Sequence, residues 1–129
     1  MGRRGFTLIE VIVALVILSI VALSLGRFVG NFSHAVTTST VRTVSVAVAQ
    51  EHLDSVLAAA TPTVYPNLVS TFNGTSATGF PGYPAMTRTT RVTRYLTASP
   101  PRDHTVVTVT VTEPTMGNPV SLTSAVAAP

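Results

Sequence analysis

The chain has 129 residues, enough for one modest domain beside one membrane-length segment and too few for two cores. It contains no cysteine, which excludes a disulfide framework and a thiolate metal site. All eight basic residues are arginines, and with Arg3 and Arg4 set aside six arginines face five acids, so the high isoelectric point does not argue for nucleic-acid binding.

Arg3, Arg4 and Gly5 lead directly into an apolar run from Phe6 to Leu25, interrupted by one acid, Glu10. Twenty helical residues at about 1.5 Å each reach roughly 30 Å, the thickness of a bilayer's hydrocarbon core. Fourteen of the twenty are Leu, Ile, Val or Phe. Their insertion sums to about −6 kcal/mol, against about +2.5 to +3.5 kcal/mol for a central charge and less near an end. Insertion therefore wins despite Glu10. The positive-inside rule has Arg3 and Arg4 hold the amino end in the cytoplasm, giving a single pass with the remainder exported. Arg27, just past the run, can snorkel to the headgroups.

Three readings fit this segment. A secretory signal would use the small residues of Ala22-Leu23-Ser24 for cleavage, although an acid so early in the apolar run argues against it. An uncleaved anchor would keep the span. The third reading rests on the string GFTLIEVIVALVILSI, which resembles the amino-terminal signature of type IV pilins and type II secretion pseudopilins. That resemblance implies a leader over residues 1–5, cut after Gly5 by a prepilin peptidase that also N-methylates the new terminal residue, Phe6. It implies retention of the apolar helix over 6–25 and assembly with other pilin or pseudopilin subunits through an inner-membrane platform. It also implies a role for Glu10: pairing with the Phe6 amine of a neighbouring subunit to set axial register. Two alternatives stay open, a pairing of Glu10 with the amine of its own chain one turn away and a neutral Glu10 without a role.

The helical pattern continues over 26–60, the exported half of the helix. Gly26 and Gly30 mark a weak point, at about 1 kcal/mol per glycine relative to alanine. Residues at three- and four-residue steps, among them Phe28, Phe32, Val36, Val46, Leu53 and Leu57, predict one apolar face. The β-branched stretch TTSTVRTVSVAV favours strand by propensity, yet the downstream AVAQEHLDSVLAAA favours helix, and the segment reads as helix to about Ala60. AQEHLDSVLA resembles the equivalent segment of minor pilins and of one class of minor pseudopilin.

From Thr61 to Ala85 prolines, glycines and hydroxyl residues predict a long loop, with turns at Asn73-Gly74 and Pro81-Gly82. Strands follow. Met86 to Thr97 alternates loosely, with Val92 and Leu96 on one face. His104 to Glu113 alternates strictly, Val107, Val109 and Val111 against Thr108, Thr110 and Thr112. Val120, Leu122, Ser124 and Val126 line a last strand. The fold class expected is α+β: a long amino-terminal helix, membrane-spanning in its first half, with three to four antiparallel strands over 61–129 packed on its second half. The stripe Val46, Leu53, Leu57 would cover the sheet.

No pattern for catalysis, cofactor or metal emerges. Glu51, His52 and Asp54 lack a second ligand cluster, and Arg88, Arg91 and Arg94 do not share one strand face, which argues against nucleic acid. The chain reads as a prepilin-like structural subunit, not an enzyme, with the membrane lipid, the peptidase and neighbouring subunits as partners. Its short length and the AQEHLDSVLA segment point to a minor component. The rival reading is a single-span or secreted binding protein with no filament role.

Overall fold

Fifty-two residues form one helix, α1 (Leu8–Ala59), in the computed structural model, which describes residues 5–98 and 101–129. Arg3 and Arg4, assigned above to membrane orientation, lie outside the described residues with the rest of the leader up to Arg4, as do Ser99 and Pro100. The helix is formed even across TTSTVRTVSVAV, where strand propensity was strongest. Hydroxyls in that stretch bond back to carbonyls four residues earlier: Thr37 Oγ1 donates to the Ser33 carbonyl at 3.0 Å, Thr43 Oγ1 to Ser39 at 3.0 Å, and Ser45 Oγ to Val41 at 2.8 Å. Packing on the sheet through Val41, Ser45 and Ala49 overrides the strand propensity. The helix also passes through Gly26 and Gly30 without a break, and open space surrounds both.

The chain divides into two compact units, Met1–Thr37 and Thr38–Pro129. In the first, the helix keeps its large apolar side chains exposed, from Leu8 through Leu25 and on to Phe28, Phe32 and Val36. Two serine hydroxyls bond within the helix itself, Ser19 Oγ to the Leu15 carbonyl and Ser24 Oγ to Ile20, each at 2.8 Å. Hydroxyls bonded in this way to their own helix suit a solvent without hydrogen bonds.

In the second unit four antiparallel strands form one sheet in the order β1 (Ser76–Phe80), β2 (Tyr83–Ala98), β3 (Pro101–Thr112) and β4 (Val120–Ala127). Its inner face buries Met86, Val92, Val107, Val109, Val111 and Val120 in one core with Val41, Ala49, Leu53 and Val56 of α1. The expected alternation in β3 is present: the valines at 107, 109 and 111 are fully buried, and Thr108, Thr110 and Thr112 lie on the other face.

Several expectations need correction. The helix stripe against the sheet is Val41, Ser45, Ala49, Leu53 and Val56, and Val46 points away, 41% exposed. Ser45 and Ala49 are fully buried, and small residues carry little weight in an apolar count. Residues 61–85 are no loop. They hold a single 3-10 turn, η1 (Tyr65–Asn67), a short helix, α2 (Leu68–Phe72), and the edge strand β1. Tyr65 and Leu68 from this stretch are buried in the core. β2 begins at Tyr83 and β3 at Pro101, each three residues earlier than the alternation suggested. Leu96 shares the inward parity of Val92 but is 72% exposed.

Both expected turns form. Asn73 (φ −68°, ψ 129°) and Gly74 (φ +78°) make a type II turn closed by Thr75 N–H donating to the Phe72 carbonyl at 3.2 Å. Pro81-Gly82 joins β1 to β2 with Phe80 paired to Tyr83 and Gly82 at φ +78°, a conformation open to glycine at no steric cost.

Candidate functional site

The residues singled out in the sequence cluster at the start of α1. Gly5, Phe6 and Thr7 precede the helix as exposed, non-helical chain. Thr7 caps it: the Glu10 backbone N–H donates to the Thr7 carbonyl at 3.1 Å and approaches Thr7 Oγ1 at 3.4 Å, and the Val11 N–H donates to the same carbonyl at 3.2 Å. Thr7-Leu8-Ile9-Glu10 thus follows the S/T-x-x-E spacing of a capping box, with Glu10 at the third helical position. This is a role for Thr7 that the reading of the apolar run passed over, although the spacing itself was visible.

The position matters for the acid. A carboxylate in the first helical turn faces the partial positive charge of unsatisfied N–H groups, a favourable interaction of about 0.3–1 kcal/mol when exposed. The amino-terminal dipole therefore compensates part of the cost of placing Glu10 in an apolar run. Phe6 and Glu10 border the same shallow depression on the helix surface, with Val11, Ala14, Leu15 and Leu18 completing it. An acid and the residue that would carry a new amine are thereby presented on one apolar side.

A second polar cluster lies in the sheet unit. Arg94 on β2 grips Asp103 on β3 through two bonds, Nε to Oδ1 at 2.9 Å and a short contact from the terminal nitrogen to Oδ2. Tyr65 Oη donates to Asp103 Oδ1 at 3.1 Å, and the Arg94 guanidinium lies over the Tyr65 ring, 5.2 Å from its centroid. The Arg94 bonds hold the Asp103 carboxyl below its usual range, desolvation opposes them, and the Tyr65 bond adds to the lowering. Both Asp103 carboxylate oxygens are engaged within the cluster, which ties η1 to the β2–β3 ladder. Because the folded carboxyl is the stronger acid, its contribution to stability is present above about pH 3.9, the unfolded value, and is lost as pH falls through the lower folded value. Melting curves from pH 6 to pH 2 should show the wild-type advantage over Asp103→Asn shrinking only on the acid side of pH 4. A constant difference would place the effect of the substitution in packing.

The remaining candidates do not converge. Glu51 and Asp54 are exposed on α1, and Asp54 Oδ1 accepts from Gln50 Nε2 at 2.9 Å. His52 is half-buried, and burial, assisted by the nearby Arg88, lowers the pKa of its imidazole. Among the described residues no three His, Asp or Glu side chains gather as a metal-holding group. Arg88 and Arg94 have the inward parity of β2 and Arg91 the outward one. Arg88 lies over the Phe80 ring at 5.7 Å and Arg94 is held by Asp103, so the three form no common basic surface.

A family model described as the prokaryotic N-terminal methylation motif matches residues 1–26. No curated protein and no solved structure matches the chain. The match spans the cap at Thr7, the acid at Glu10 and the exposed apolar turns through Gly26, the same stretch that composition and geometry set apart. Over residues 1–26 the chain carries the amino-terminal signature of type IV pilins and pseudopilins.

Proposed function

We propose that the chain is a prepilin-like structural subunit of a type IV filament system, cleaved after Gly5 and N-methylated at Phe6 by a prepilin peptidase/methyltransferase. It is anchored in the cytoplasmic membrane by a single pass over residues 6–25, with Arg3 and Arg4 on the cytoplasmic side and the sheet unit exported. The inner-membrane platform then passes it into a pilus or a type II secretion pseudopilus, where it is a minor component beside other pilin or pseudopilin subunits. The observation that carries this reading is the continuity of the methylation motif with a helix whose large apolar side chains are all exposed through Val36.

Those side chains need a non-aqueous partner, because each is worth about 1.5–3 kcal/mol when buried. A bilayer supplies it before assembly, and the helices of neighbouring subunits supply it after. In that setting Glu10 of an incoming subunit pairs with the Phe6 amine of its neighbour and fixes the axial register. The sheet unit contributes surface and no chemistry, in keeping with a motif family of structural subunits.

Intact-mass measurement of the membrane-bound protein tests the reading. A chain beginning at methylated Phe6 supports it. A chain beginning at Leu25 would mean secretion, and one retaining Met1 to Gly5 a plain anchor.

A further inference from the structure

The two edges of the sheet are built differently. β1 is five residues long, carries an irregularity between Thr78 and Phe80, and has Gly79 at φ +75° within it. Ahead of it the chain stays tied to β2: Gly74 N–H donates to the Thr90 carbonyl, Thr90 N–H to the Thr75 carbonyl, and Asn73 Oδ1 accepts from the Val92 N–H at 3.0 Å. Short length and a kink are among the devices by which natural sheets close an edge.

β4 has none of them. It pairs with β3 over eight consecutive residues, His104↔Ala127 through Val111↔Val120, with no shift in register. Its sequence, VSLTSAVA, contains no charge, proline or glycine. Nothing in the described chain pairs with its other side. In an antiparallel edge strand about half of the backbone N–H and C=O groups point outward, so β4 offers a straight ladder of unmet donors and acceptors.

We propose that β4 is a docking edge for an extended, uncharged segment of a neighbouring subunit in the filament. This inference rests on the filament reading above. The side chains specify the segment further. Leu122 and Val126, half-buried at the border of the core, would be covered by apolar residues at alternate positions of the incoming strand. On the solvent face, Thr108 and Thr123 are bonded hydroxyl to hydroxyl at 3.0 Å, and Thr110 and Ser121 at 2.9 Å. Serine or threonine at the intervening positions would extend these rows by one strand. The partner is therefore a segment alternating apolar and hydroxyl residues, bound by main-chain hydrogen bonds with side-chain period two.

A proline scan of the full-length protein from Ser121 to Ala125 tests this. Proline is tolerated on an edge strand where the N–H faces solvent and not where it bonds the adjacent strand. Thermal stability in detergent should alternate with period two along the scan. The variants of unchanged stability should be cleaved after Gly5 as usual but enter filaments at least tenfold less than wild type. Thr123→Lys and Ala125→Lys place charge on exposed positions of the edge, keep the fold, and should show the same loss, whereas Thr108→Lys on the interior strand should assemble normally. Normal assembly of the stable proline variants or of the edge lysines overturns the proposal, as does an equal loss in Thr108→Lys. Absence of the wild-type chain itself from filaments overturns the filament reading, and this inference with it.

Discussion

Replacing Glu10 by glutamine will lower incorporation into filaments by at least tenfold while cleavage after Gly5 continues. Glutamine serves a capping box as well as glutamate does, so the Thr7 cap at the start of α1 is kept and only the charge is removed. The charge is what a protonated Phe6 amine would require once the neighbour's helix and lipid have excluded water. Removing one partner of a buried ion pair costs about 3–5 kcal/mol, because the other is left uncompensated. At 1.4 kcal/mol per tenfold, that is two or more powers of ten per interface. The dipole term that Glu10 enjoys in its own helix is smaller, about 0.3–1 kcal/mol. Loss of helix capping alone would thus change assembly by several-fold at most. Glu10→Ala should match Glu10→Gln in assembly and add only a small loss of helix stability. If Glu10→Gln enters filaments at wild-type levels, the acid acts as a cap residue and the register role is wrong.

The legible parts of this chain were those where one physical signal dominates. The long apolar helix that begins at Leu8 follows from composition alone, and the strict alternation Val107, Val109, Val111 against Thr108, Thr110, Thr112 left no other assignment for β3. The register of α1 on the sheet was not legible for the opposite reason. Its contact stripe is built on Ser45 and Ala49, which an apolar count ignores, and a search for large residues settles on Val46, one position away and solvent-facing. Residues 61–85 were obscured by composition. Pro62, Pro66, Pro81 and Pro84 and the hydroxyl residues between them resemble a linker, whereas Pro66 lies within the 3-10 turn and Pro81 is the first corner of a β-turn. The site followed the same rule. The order of Gly5, Phe6 and Glu10 is legible as a motif, and the methylation-motif match over residues 1–26 covers it, whereas the Thr7 cap lies in a local T-x-x-E spacing that an apolar count does not register.

Leu68→Ala will destabilise the sheet unit by about 2–5 kcal/mol, the cost of deleting a buried leucine and leaving part of the cavity unfilled. Leu68 is fully buried, in a core shared with Tyr65, Met86 and the valines of β3. For a unit of this size each kcal/mol shifts the melting temperature by roughly 4–8 °C, so the variant should melt about 8–40 °C below wild type. A passive connection predicts something quite different, since surface substitutions stay within about 0.5 kcal/mol. Ser70→Ala, two residues away and exposed, supplies that comparison and should leave the melting temperature almost unchanged. The same pair of variants separates stability from assembly. If the chain is cleaved after Gly5 as proposed, Leu68→Ala should still be processed normally, since the change lies far from the amino-terminal segment, and should be lost at assembly, when a destabilised sheet unit presents β4 poorly. Normal melting of Leu68→Ala would return residues 61–85 to the status of a linker.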